Sequence, residues 1–230
     1  MNTQKKNLML SIETATRGGS LAILSEREVC AISEGGQDSS PSSALLPAVQ
    51  KILDEAGVKI GEIDFLSAAV GPGSFTDLRI GLATAKGLAA VRQIPLIGVP
   101  TLEAMTAVET KTEASCVLLA AGRGEFFTQI FRRGQNKAAD QMRAGQLENI
   151  LSELKCEKDL RLIAPPEIVP IILEFTEQEQ ITNWSVITPP PNLAVCVGRI
   201  AFDLLEQNKA NQNSSRLIYG REAVMLRKNA

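Results

Sequence analysis

The apolar residues in the first half of the chain change period in a fixed order, and that order restricts the fold more than any single residue does. Leu8–Ile12 reads as a short buried strand. Ser20–Leu24 follows the turn Arg17-Gly18-Gly19 as its hairpin partner, and Glu28–Ser33 alternates apolar and polar side chains like a third strand. A polar loop, Gly35-Gly36-Gln37-Asp38-Ser39-Ser40-Pro41, gives way to Leu45, Val49, Ile52 and Ala56 at helical spacing, which predicts a helix over Ser42–Ala56 that stops before Gly57. Phe65–Val70 is strand-like and is broken by Gly71-Pro72-Gly73. A helix rich in small residues is then expected over Thr76–Arg92, followed by a strand at Leu96–Val99 and a short helix at Thr101–Val108. Three strands ahead of the first helix, and strict alternation after it, require a mixed sheet covered by helices.

The second half follows the same order. Cys116–Ala121 and Glu125–Arg132 predict a hairpin around Gly122-Arg123-Gly124, with a third strand near Lys137–Met142 and a helix over Gln146–Leu154. Leu160–Ile163 and Trp184–Ile187 read as strands, Pro166–Phe175 and Leu193–Gln207 as helices. The expected fold is α/β: two ribonuclease-H-like lobes (actin-like, ASKHA), each a mixed sheet flanked by helices. They span residues 1–109 and 110–230, with room for the C-terminal tail to pack back on the first lobe.

Composition limits the chemistry. The chain has no histidine, which excludes Ser-His-Asp catalysis and His-based metal sites. Cys30, Cys116, Cys156 and Cys196 are too far apart for a zinc ribbon or a C-x-x-C redox pair, so they are expected to be reduced, mostly buried thiols. With 24 Lys plus Arg against 26 Asp plus Glu, no basic face is available to hold nucleic acid by bulk charge. At 44% hydrophobic residues a substantial core is affordable in sequence terms. Neither a signal-peptide apolar region nor a membrane-length run occurs, so a cytoplasmic protein without a membrane span is expected.

The stretch Val70–Ala89 carries most of the functional signal. Gly71, Gly73, Ser74 and Thr76, after a strand and before a helix, could offer N–H groups to an anion. The spacing is not that of a Walker A loop, and Asp77 in the first helical turn suits the helix dipole and repels phosphate, which favours a structural turn and cap. Small residues at Gly81, Ala85 and Ala89 form one row along the helix, and Ala83 and Gly87 form another, so neighbours can approach on two sides. One row is expected to pack on the sheet and the other to meet the Ser42–Ala56 helix and a second protein. Glu13 could supply the first carboxylate of an actin-like ATPase or kinase, but the second hairpin reads Leu119-Ala120-Ala121 where the other carboxylate is needed. Ser74 lies in no nucleophile elbow, and only Lys86 could serve it as a base.

At these residues the chain resembles the TsaB (YeaZ-type, glycoprotease-like) family of the bacterial tRNA N6-threonylcarbamoyladenosine machinery. The likeness rests on Leu10-Ser11-Ile12-Glu13-Thr14-Ala15-Thr16, on Ser43-Ala44-Leu45-Leu46-Pro47, on Gly71–Ala89 and on Pro95–Glu103. It is looser at Gly122–Phe126 and Ile218-Tyr219-Gly220-Arg221. Asp77, Pro41 and Ala121-Gly122 depart from the family pattern.

The resemblance implies a catalytically silent subunit with no metal or catalytic residues of its own. It would dimerise with a TsaD-type catalytic subunit, pair with itself when alone, be joined by a TsaE-type ATPase, and reach tRNA only through the complex. ATP or ADP would enter only the assembled complex. The candidate anchors are Leu45, Leu46, Val49, Ile52 and Leu53 on the first helix and Gly81, Thr84, Ala85 and Leu88 on the second. The rivals are an independent ASKHA-type ATPase or kinase using Glu13, and a glycoprotease-like peptidase using Ser74 or Lys86.

Overall fold

Strand β1 (Leu8–Glu13) is buried from Met9 onward, so it must lie inside a sheet covered on both faces. The computed structural model describes residues 7–36, 41–107, 114–132 and 140–207. In it β1 is the middle strand of five, in the order β3-β2-β1-β4-β5. β2 (Ser20–Ser25) and β3 (Glu28–Glu34) are antiparallel, while β4 (Phe65–Ala69) and β5 (Leu96–Val99) are parallel to their inner neighbours. The helices of this unit are α1 (Pro41–Glu55), α2 (Phe75–Arg92) and the short α3 (Thr101–Met105).

A second unit repeats the arrangement with β6 (Ala114–Gly122), β7 (Glu125–Arg132), β8 (Arg143–Gln146), α4 (Leu147–Leu154), β9 (Leu160–Ile163), α5 (Val169–Gln178) and β10 (Ser185–Ile187). Its sheet order, β10-β9-β6-β7-β8, is that of the first sheet read from the other edge. Its core gathers Leu118, Phe126, Ile150, Leu154 and Leu162, among others, from both sheet and helices. The doubled α/β architecture is therefore present as expected.

Two expectations are corrected. Residues 137–139 lie outside the described residues, 140–142 form no strand, and the third strand of this sheet is β8, where Arg143–Thr128 and Gln146–Glu125 mark the ends of the pairing. Arg-Ala-Gly-Gln has no apolar alternation; its extended form comes from backbone pairing with β7. The second correction concerns α6 (Leu193–Glu206), expected within a lobe running from 110 to 230. It belongs to the first unit, packed on β1, β2, β4 and β5.

Helix α6 lies close to the first sheet because Gly198 has no side chain. A Cβ there would sit 2.5 Å from both Leu24 Cδ1 and Ser11 Oγ, whose hydroxyl is 2.6 Å from Ser67 Oγ inside the sheet. Ala194, Val197 and Ala201 are completely buried on the same face. Asn192 caps the helix, accepting from Val195 N–H at 3.3 Å, while its amide donates to Leu21 O and Ser33 O at 3.4 and 3.3 Å. Arg27 also pairs with Asp203 and Glu206, but those ion pairs are exposed and contribute little beside the apolar burial. Ile218–Arg221, which carries the C-terminal part of the resemblance, lies outside the described residues.

Candidate functional site

The carboxylate of Glu13, at the end of β1, is 1% exposed and, among the described residues, accepts from neutral neighbours. Oε1 takes the Thr16 N–H at 2.7 Å, and Oε2 takes the hydroxyls of Thr16 at 2.9 Å and Ser20 at 3.2 Å. Burial pushes its pKa up, and the hydrogen bonds from Thr16, Ala15 and Ser20 partly oppose that. A carboxylate oriented in this way closes the turn after β1, with its lone pairs already occupied. It does not present a free edge to Mg²⁺ or to an attacking hydroxyl.

The glycine loop is turned toward the protein as well. Ser74 N–H donates to Ala15 O at 2.9 Å, Gly71 O accepts from Thr101 N–H at 2.9 Å, and a Cβ at Gly73 would collide with the Ala15 backbone. Ser74 Oγ donates to Asp77 Oδ2 at 2.6 Å, which sets a carboxylate over the start of α2. Of the expected anion loop, Gly71 is buried and Gly73 half-buried, while Ser74 and Thr76 are exposed beside Asp77. This arrangement does not fit phosphate, because the Ser74 N–H is spent and the nearest side chain is anionic.

The peptidase arrangement is not assembled either. Lys86 lies twelve residues beyond Ser74, about 18 Å along the axis of α2 at 1.5 Å per residue. In the second unit the hairpin carries Ala120 and Ala121 where an actin-like ATPase needs its second carboxylate, and Glu125 is a half-buried residue at the start of β7. Among the described residues, no group of three or more His, Cys, Asp or Glu is gathered to hold a metal ion.

What the first unit does present is a pair of helices packed side by side, α1 and α2. The candidate anchors divide sharply between them. Leu45, Val49, Ile52 and Leu53 of α1, and Gly81 and Ala85 of α2, are buried in the unit's own core, with Ile52 and Ala85 at 0% exposure. Offering them as partner contacts is corrected: no partner reaches them without opening the unit. Leu46 is 60% exposed, and Thr84 and Leu88 are half-buried.

Thr84 and Leu88 continue along α2 to Val91, which is 85% exposed, and beside them run the exposed Ala83, Gly87 and Ala90. A Cβ at Gly87 would meet nothing within 4 Å, so the helix backbone is open to close approach there. Sequence reasoning missed Val91 and Ala90, although the Ala83/Gly87 row pointed to this side of the helix. At the start of α2, Phe75 is also largely exposed, with the Arg79 guanidinium 3.6 Å from its ring centroid. An apolar strip of small and branched residues on a rigid helix is suited to receiving another helix, and it supplies no proton-transfer group.

Residues 40–158 match the family model described as "TsaD: tRNA N6-adenosine threonylcarbamoyltransferase". The chain is 37% identical over 131 residues to the tRNA threonylcarbamoyladenosine biosynthesis protein TsaB of Escherichia coli (strain K12), covering 56% of each chain. It is 30% identical over 155 residues to the protein of the same name from Haemophilus influenzae, covering 66% of this chain and 64% of that one. The match thus spans about three-fifths of the length of these curated relatives, which are named as biosynthesis proteins and not as transferases. The solved structure of YeaZ from Pseudomonas aeruginosa has the same fold, with a TM-score of 0.70 at 20% identity over 93% of this chain and 99% of that one. With more than half of its length matched by that model, the chain belongs to the TsaD family, and within it the likeness is to the TsaB type.

Proposed function

We propose that the chain is a non-catalytic partner subunit for N6-threonylcarbamoyladenosine formation in tRNA, dimerising with a TsaD-type subunit that performs the transfer. The observation that carries this reading is the outward row of α2, Ala83, Gly87, Leu88 and Val91, which is apolar and without catalytic groups, together with the exposed Leu46 of the neighbouring α1. Removing such side chains from water drives association, and the small residues let two backbones approach. The silent-subunit part draws support from Glu13, whose lone pairs are occupied, and from the Ser74–Asp77 hydrogen bond.

In the absence of the TsaD-type subunit the same strip pairs with a second copy. A TsaE-type ATPase joins the assembled pair, ATP or ADP binds only there, and tRNA is met through the complex in the cytoplasm. The test is reconstitution of tRNA modification, with threonylcarbamoyl-adenylate as donor and the TsaE-type ATPase supplied throughout, using the TsaD-type subunit alone, this chain alone, and both. Full modification is expected only with both. Leu46→Arg and Val91→Glu should each weaken pairing by about 2 kcal/mol, roughly thirtyfold, and leave the unfolding midpoint unchanged. Ala85→Arg, by contrast, should unfold the unit. Full activity of the TsaD-type subunit by itself, or undiminished pairing by both surface variants, would refute the reading.

A further inference from the structure

We propose that Glu13 is a positioning residue, a buried strut that seats the docking helix α2 on the turn after β1 and ties that turn to α6. The inference rests on the docking reading for its consequence, but its structural part stands on contacts within the first unit alone.

The strut has two arms. In the first, Glu13 fixes Thr16 through both its N–H and its hydroxyl, at 2.7 and 2.9 Å, and so closes the turn Thr14-Ala15-Thr16. That turn grips the start of α2 at consecutive points. Ala15 O accepts the Ser74 N–H at 2.9 Å, and Thr14 Oγ1 donates to Asp77 O at 2.8 Å. The Thr14 side chain also occupies the space above Gly81, where a Cβ would lie 3.0 Å from its methyl carbon and 3.1 Å from its Cβ. A glycine in a helix interior costs about 1 kcal/mol relative to alanine, which is consistent with selection for this close approach.

In the second arm, Ser20 Oγ donates to Glu13 Oε2 and accepts the Ala194 N–H at 3.0 Å, so the first turn of α6 hangs from the same carboxylate. The N–H and hydroxyl of Thr16 and the hydroxyl of Ser20 converge on a side chain at 1% exposure. A carboxylate removed from water is tolerated only when its lone pairs are satisfied in this way, and the donors depend on it equally. The residue type and strand position match those of a catalytic acid, while the bonds it makes are those of a brace. What it braces is the N-terminal end of the helix that carries Thr84, Leu88 and Val91.

The test combines amide exchange with pairing, using the full chain. In Glu13→Ala, exchange of the Ser74 and Leu78 amides, bonded to Ala15 O and Ser74 O, is expected to accelerate at least tenfold. Amides of β9 in the second unit should be unchanged, and pairing with the TsaD-type subunit should weaken at least tenfold. Glu13→Gln, which keeps an acceptor for Thr16 N–H, should restore both to within about threefold, whereas Glu13→Met, similar in volume but without that acceptor, should not. Thr14→Val breaks only the link to Asp77 O and should reproduce the α2 effect, so it decides the matter if Glu13→Ala fails to fold. Unchanged Ser74 and Leu78 exchange in a folded Glu13→Ala or Thr14→Val variant would overturn the inference. Leu46→Arg and Val91→Glu are the controls: if both pair normally while the exchange results hold, the docking face is wrong and the strut stands.

Discussion

Replacing glycine by alanine at two points in α2 should shift stability in opposite directions. At Gly87 a methyl group meets nothing within 4 Å, so only the helix propensity changes, and Gly87→Ala should stabilise by about 1 kcal/mol. At Gly81 the same gain is outweighed. The new Cβ lands well inside contact with Thr14 Oγ1 and about 3 Å from the Thr14 methyl and Cβ, on a branched side chain with little freedom to move. Overpacking of this kind costs about 1–3 kcal/mol. Displacing Thr14 Oγ1 from Asp77 O, 2.8 Å away, forfeits about 0.5–1.5 kcal/mol more. The net expectation for Gly81→Ala is a loss of about 2 kcal/mol, which places the two variants about 3 kcal/mol apart. Urea unfolding should be followed by far-UV circular dichroism and by amide exchange in α2, because the sole tryptophan, Trp184, lies in the second unit and reports on that one. Adding Thr14→Ala to Gly81→Ala should recover most of the loss, a coupling of at least about 1 kcal/mol. Equal stability of Gly81→Ala and Gly87→Ala would refute the reasoning.

Glu13 gives a pH prediction with a definite sign. Burial raises its folded-state pKa above the ordinary 4.5, so its contribution is full below 4.5 and is lost as pH rises through the folded value. Wild type should therefore lose stability relative to Glu13→Gln above pH 4.5, by at most about 1.4 kcal/mol per unit, and a relative gain over that range would contradict the assignment. Only half of the cysteines are buried, against the expectation for most of them: Cys30 and Cys156 are exposed, whereas Cys116 and Cys196 are buried with thiols pushed up in pKa, Cys116 to about 11. A thiol reagent at pH 8 should modify the first two rapidly and the others at the rate of opening; equally fast reaction of Cys116 would exclude its burial beside Thr128. Thr101 Oγ1 is fully buried without a partner among the described residues, so Thr101→Val should raise stability by about 1 kcal/mol, and a loss would reveal a bonded water.

The architecture was legible because strand and helix periods differ, and β5, β7 and β9 begin and end at the residues where alternation and turn signals place them. β8 was not legible at its true position, because an exposed four-residue edge strand is specified by its neighbour's backbone and not by its own side chains. The candidate interface was half legible. Helical spacing identifies Leu45, Val49 and Ile52 as one face of α1, but the same pattern describes a helix turned toward its own sheet or toward a partner; burial settles it for the sheet. Glu13 shows a similar limit. Its chemistry is visible in the sequence, yet only the closure of the turn brings Thr16 and Ser20 onto its oxygens.

Helix α6 also bears on how the protein is made. The ribosome delivers β1 to β5 first, but the layer that covers one side of that sheet is encoded more than ninety residues after β5. At about 5–20 residues per second, the exposed sheet must wait on the order of ten seconds for its cover, while the second unit can already assemble. The nascent first half is thus the vulnerable stage, the one expected to need a chaperone, and expression of residues 1–109 alone should yield aggregate.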